Sequence, residues 1–270
     1  MTRTIPALIL LLMFPSFSFT KQVVTFPSGS LRLHGIVFRP EGKGPFPAVV
    51  YNHGSYKDPT EAIEILGPVF ASRGWVLFAP YRRGRDSVPP RGRFIGDEIA
   101  AARKTGGLPA ASTKMIQLLR PDHLNDQLAA LAWLKTQDFV APDWIAVVGN
   151  SFGGIESVLA AERGSYCAAV DASGGAESWT LSPELQDLMT HAVRNSRAPI
   201  FFFQAANDYD LSPSRELSAV MKDARKAYEV KIYPAYGASA EQGHSFAYRG
   251  SAVWADGVFG FFEKHCKALP

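Results

Sequence analysis

The chain is poor in cysteine, nearly balanced in charge and short of long apolar runs, and each shortage removes a class of function. Its two cysteines, Cys167 and Cys266, are too few for a disulfide scaffold and show no paired spacing for zinc, while the six histidines are scattered. No metal and no cofactor is therefore expected. With 28 basic against 25 acidic residues, no basic surplus points to nucleic acid or to an anionic membrane. Beyond the first twenty residues no segment approaches the roughly 18 consecutive apolar residues of a membrane span, so the mature chain is not expected to insert stably. Internal repeats and low-complexity tails are missing as well.

What is present is enough apolar material for one large core. A chain of 270 residues with 47% hydrophobic residues can bury a single domain, and nothing in it demands a second. Met1 to Thr20 has the layout of a secretory leader: Arg3, then an apolar stretch from Ile5 to Phe14, then small residues at Ser16 and Ser18 that suit cleavage after Ser18 or after Thr20. The reading is a leader over 1–20, a catalytic domain over 21–270, and a secreted or periplasmic product. An uncleaved N-terminal anchor is the alternative, because the cleavage site lacks alanines. In an exported chain a Cys167–Cys266 bridge is allowed, and by the chain-entropy argument closing so long a loop would add about 4–5 kcal/mol; two separate buried thiols fit equally.

Strand-like and helix-like runs alternate, which predicts an α/β sheet with helices on both faces. Gln22 to Phe26 and Leu31 to Phe38 flank Ser28-Gly29-Ser30 as an antiparallel hairpin at a sheet edge. Strands are expected at 45–51, 75–79, 143–148, 168–172, 199–204 and 229–233, and helices at 60–73, 123–137, 155–161, 214–227 and 251–266. From Tyr81 to Thr113 the pattern lapses into an arginine-rich, glycine-rich and proline-rich loop. Segments near 82–112 and 176–195 read as lid pieces.

The stretch Gly149-Asn150-Ser151-Phe152-Gly153-Gly154 joins a β-rich run to a helical one, which is the arrangement of a nucleophile elbow. A serine hydroxyl needs a histidine to take its proton and a carboxylate to hold the ring, in the chain order serine, acid, histidine. His191 comes too early and His265 lies at the end of the last helix. His244, expected on a loop between the last strand and the last helix, is where the base belongs. Asp208 directly follows the 199–204 strand and is preferred over Asp210 as the acid; Asp171 is an alternative that lies within a strand. The oxyanion donors are expected to be the backbone N–H groups of Phe152 and Ser55, with Tyr56 as runner-up for the second and also a substrate contact. Arg82 and Arg83, with Arg85 beside them, can be read as a clamp for a substrate carboxylate or phosphate, or as a loop paired with Asp86, Asp97 and Glu98.

His53-Gly54, the 149–154 elbow, Asn207-Asp208 and Gly243-His244, at this spacing and over roughly residues 22–266, resemble the α/β-hydrolase superfamily, most closely its dienelactone-hydrolase-like branch. The resemblance implies a three-layer fold with a mostly parallel eight-stranded sheet, and hydrolysis through an acyl-enzyme. Dienelactone hydrolases carry a cysteine nucleophile where this chain has Ser151, and serine versions look like esterases. Prolyl oligopeptidase-type peptidases share the elbow and acid motifs, but usually carry a large propeller domain for which this length leaves no room. The expected substrate is a small carboxylic ester or lactone; a serine peptidase or amidase, and a non-catalytic binding protein on the same fold, are the alternatives. Oligomeric state is not legible.

Overall fold

A computed structural model of the chain describes residues 18–56, 58–84 and 92–266. Of the leader read at 1–20, residues 1–17 lie outside this set, while Phe19 and Thr20 already open the first strand and pair with Pro40 and Arg39. Arg85 and Asp86 also lie outside it.

Eight strands form one sheet: β1 (Phe19–Ser28), β2 (Leu31–Pro40), β3 (Phe46–Asn52), β4 (Val76–Pro80), β5 (Val140–Asn150), β6 (Ala169–Ala172), β7 (Ile200–Ala205) and β8 (Tyr228–Tyr233). Their spatial order is β1-β2-β4-β3-β5-β6-β7-β8. β2 runs antiparallel to both its neighbours, and every other pairing is parallel. The central parallel strands are buried on both faces, which is why β4 and the Ile200–Phe203 stretch of β7 read as apolar runs rather than alternating ones. β1, at the edge, is exposed along most of its length.

Alternation within the strands splits the core into two layers. Ala48 and Val50 of β3 pack with α3 (Leu124–Lys135), α4 (Phe152–Arg163) and α5 (Pro183–Asn195) on one face. Val49 and Tyr51 pack with α1 (Thr60–Ser72), α7 (Ala240–Arg249) and α8 (Ser251–His265) on the other. Helices α2 (Ile95–Leu118) and α6 (Ser212–Asp223) complete the set. The chain order reverses at β3, since β4 lies on one side of it and β5 on the other. Open α/β sheets bind ligands at such a switch point, beyond the carboxyl ends of the strands. Here those ends deliver Asn52-His53-Gly54 and Asn150-Ser151 side by side.

Two elements differ from the sequence reading. The lapse at 81–113 contains most of α2, a helix broken at Gly106 and Gly107, whose φ values are −137° and 68°. Only Ile95 and Ala111 of α2 are buried, so it carries almost no apolar stripe by which periodicity could betray it. His244 lies on α7 rather than on a loop. The bridge left open in the sequence is formed: Cys167, just before β6, joins Cys266, just after α8, with Cα atoms 5.0 Å apart.

Candidate active site

β5 passes into α4 with Ser151 alone between them, at φ 55° and ψ −121°. A non-glycine residue in that region costs about 1–3 kcal/mol, and neighbouring contacts must hold it there. The Ser151 N–H donates to the Ala172 carbonyl at the end of β6, at 2.8 Å. Two glycines are required by close approach: a Cβ on Gly149 would lie 2.0 Å from the Gly153 carbonyl oxygen, and one on Gly153 would lie 1.9 Å from that of Asn52. Helix α4 can therefore start tight against β3 and β5, which lifts the Ser151 side chain to the edge of the sheet.

The structure brings Ser151, His244 and Asp208 together across 93 residues of sequence. Ser151 Oγ lies 2.8 Å from His244 Nε2, and His244 Nδ1 lies 2.7 Å from Asp208 Oδ1. With Nδ1–H donating to the carboxylate, Nε2 is free to accept the serine proton. His244 owes its direction to α7, whose start is closed by a capping box in which Ser239 and Gln242 satisfy each other's backbone N–H groups. Asp208 sits one turn beyond β7, where Gln204 Nε2 donates to its Oδ2 at 2.8 Å and the Tyr209 N–H to its Oδ1 at 2.8 Å. Burial pushes the Asp208 carboxyl up, but its bonds to His244, Ser173 and Gln204 bring it net below its ordinary value, so it stays ionised beside the ring. Asp171 is occupied elsewhere: its Oδ1 accepts the Gly174 N–H at 2.7 Å, and burial pushes its carboxyl up to about 7.

As the first residue of α4, Phe152 has a backbone N–H with no partner inside the helix, at the end where the helix dipole favours negative charge. Ser55 borders the same clefts as Ser151. The orientation of its N–H is set one atom group away. The Gly54 carbonyl accepts from His53 Nδ1 at 2.8 Å and from Arg82 Nη1 at 3.1 Å, and in a trans peptide the following N–H must point the opposite way. Arg82 Nη2 also holds the His53 carbonyl, at 2.6 Å, while Asn150 Oδ1 accepts the Gly54 N–H at 3.1 Å.

Of the two readings of Arg82 and Arg83, substrate clamp or pairing with acidic residues, the structure shows both side chains paired with acidic residues of the protein. Arg82 is buried, pairs with Glu156 at 2.8 Å and stacks its guanidinium 4.6 Å over the Phe152 ring. A buried guanidinium needs a counter-charge and full hydrogen bonding, and both are supplied from within the protein. Arg83 is held by Asp126 at 2.7 Å and Asp122 at 3.0 Å. Neither arginine lines the clefts at Ser151. Their partners are not the expected Asp97 and Glu98; Glu98 pairs with Arg93. Burial, then the Arg82 charge, push the buried His53 and His123 well below the ordinary histidine range, so both rings are neutral. His53 Nε2 accepts the Arg82 N–H at 3.3 Å, which leaves Nδ1 as the protonated nitrogen.

Three contributors escaped the sequence reading. Asn150 joins Tyr51, Gly54 and Tyr56 through its amide, Glu156 anchors Arg82 from inside α4, and Glu177 places its carboxylate 4.0 Å from His244 Nε2. Asn150 was visible within the elbow motif; the other two leave no local signal. Tyr56, expected as a substrate contact, lines the cleft with Ser151. Among the described residues, no three His, Cys, Asp or Glu side chains converge to hold a metal ion, and no helix is long and apolar enough to cross a membrane.

The fold has counterparts in known proteins. The chain is 26% identical over 181 residues to the uncharacterized peptidase YtmA of Bacillus subtilis, an alignment that spans 64% of this chain and 59% of that protein's length. Its fold matches the acylaminoacyl peptidase of Pyrococcus horikoshii with a TM-score of 0.66 at 18% identity, over 93% of this chain and 42% of the other. It matches an esterase of Pyrococcus furiosus with a TM-score of 0.64 at 15% identity, over 93% and 92% of the two chains. Likeness at such identities shows the α/β-hydrolase fold alone. The model of the dienelactone hydrolase family matches residues 33–264, nearly the whole of the sheet and its helices, and the chain belongs to that hydrolase family.

Proposed function

We propose that the protein is an exported serine hydrolase that cleaves a carboxylic ester or lactone through an acyl-enzyme, with Ser151 as nucleophile, His244 as base and Asp208 as orienting acid. The observation that carries this reading is the unbroken chain of contacts from Ser151 Oγ through both nitrogens of His244 to Asp208. Ser151 Oγ attacks the carbonyl carbon as its proton passes to His244 Nε2, and Asp208 stabilises the imidazolium that results. The oxyanion forms between the Phe152 and Ser55 N–H groups. On collapse, the carbon–oxygen bond to the alcohol breaks and His244 returns the proton to the departing oxygen. A water then repeats the sequence on the acyl-serine, freeing the acid and restoring the hydroxyl.

Export is supported by the leader-like residues 1–18, by a first strand that opens at Phe19, and by a Cys167–Cys266 bridge of the kind that persists in oxidising compartments. The test is twofold. A fluorophosphonate probe is expected to label the wild-type chain and not Ser151→Ala, and p-nitrophenyl acetate is expected to be turned over far faster than a proline p-nitroanilide. The likeness to two peptidases favours a second reading, amide or peptide hydrolysis by the same three residues, and faster cleavage of the anilide would establish it instead. A folded wild type that takes no label would move the chain to a non-catalytic binding role.

A further inference from the structure

Two clefts of opposite character meet at Ser151. The one that includes His244 measures about 360 Å³ and is walled by Tyr56, Tyr209, Tyr248, Glu177 and Glu241. The other, about 280 Å³, has no histidine and is walled mainly by Ile99, Met115, Phe152, Ile155 and Ala176, sharing Ser55, Ser151 and Glu177 with the first. It shares Ile99, Met115, Glu177 and Ser178 with a further cavity of about 320 Å³, which is bordered mainly by Leu108, Ala111 and Leu181 and also by Arg103. Ile99 lies before the Gly106–Gly107 break of α2, and Leu108, Ala111 and Met115 lie after it, so the two arms of the broken helix wall one apolar channel.

The chemistry decides which half of a substrate enters which cleft. The departing oxygen takes its proton from His244 Nε2, so it must lie within hydrogen-bond reach of that atom, and the group it carries projects to the histidine side. The acyl substituent leaves the reacting carbon on the other side, past Phe152. Resting on the serine hydrolase reading, we infer that the substrate joins an apolar acyl chain, lodged along α2, to a polar leaving group that is neutral or cationic. At about 30 Å³ per methylene, close to the share of a water molecule in the liquid, the 280 Å³ cavity takes roughly nine carbons. An anionic leaving group would face Glu177 and Glu241, while Arg249, the cation on that rim, pairs with Glu61 at its surface.

The experiment uses the purified full chain in a pH-stat with three ester sets: glycerol monoesters from acetyl to dodecanoyl, acetates of straight-chain alcohols from ethanol to octanol, and acetates of glycerol, choline and glycolate. The expected result is a kcat/KM that rises about three- to fourfold per acyl methylene at least as far as decanoyl, the ratio that corresponds to burial of one methylene. Lengthening the alcohol should bring no such rise, and the glycolate ester should be at least tenfold poorer than the glycerol and choline esters. Glu241→Gln, at a residue that borders the histidine-side cleft and neither of the other two, should narrow that last gap severalfold. Met115→Trp, which fills the channel, should lower the octanoyl-to-acetyl ratio at least tenfold; the ratio is internal to one preparation and is insensitive to partial misfolding. Acetate hydrolysis without acyl-length dependence, or a rise with alcohol length instead, overturns the inference and leaves the hydrolase reading standing. No ester hydrolysis together with no fluorophosphonate labelling overturns both.

Discussion

Two pairs of opposite charge flank the elbow, and they differ in what they touch. His244–Asp208 reaches the Ser151 hydroxyl and opens on a cleft; Arg82–Glu156 is closed off from the clefts and reaches backbone carbonyls and the Phe152 ring. The first pair can pass a proton because an imidazole offers a nitrogen that accepts as well as one that donates, whereas a guanidinium presents donors only. Arg82 is suited to a different task, since its planar fork bonds two consecutive carbonyls and a carboxylate at once and ties the loop carrying Ser55 to the helix carrying Phe152. Charge beside a reacting group thus has two separable uses, moving a proton and holding backbone amides in place.

The separation can be broken by two substitutions. Asp208→Asn keeps the shape but lets the ring take the wrong tautomer, and kcat on a short ester is expected to fall about 10⁴-fold, measured by steady-state kinetics on the folded variant. Arg82→Lys retains the counter-charge for Glu156 but loses the fork. Loosening the proposed oxyanion donor at Ser55 in this way is expected to cost up to about 10²-fold in kcat with KM little changed. An equal loss in KM would assign Arg82 to substrate binding, and an unchanged kcat would make the network purely structural.

The readability of the molecule from sequence follows the range of the forces involved. The elbow was legible because its glycines answer to contacts within a few residues, and Asp208 because it directly follows a strongly apolar strand. Chain order places His244 after the last strand, as in the structure, but not on its helix, although Ser239 and Gln242 stand three apart in a capping pattern that signals a helix start. Helix α2 hid because a helix that buries so little has no apolar period. The role of Arg82 stays open in the sequence because its partner stands 74 residues away, and a lone arginine looks the same whether it meets substrate or protein. The Cys167–Cys266 bond likewise depends on a Cα approach that composition alone does not reveal.

The positive φ of Ser151 carries a consequence for heat tolerance. Glycine accepts φ 55° without penalty, so folding alone would favour it at this turn. Ser151→Gly is expected to abolish ester hydrolysis yet raise the thermal midpoint by about 2–4 °C, as relief of roughly 1 kcal/mol of strain would do in a chain of this size. A variant that gains endurance by losing its hydroxyl would mark position 151 as one where natural selection has kept chemistry at the expense of comfort in the backbone.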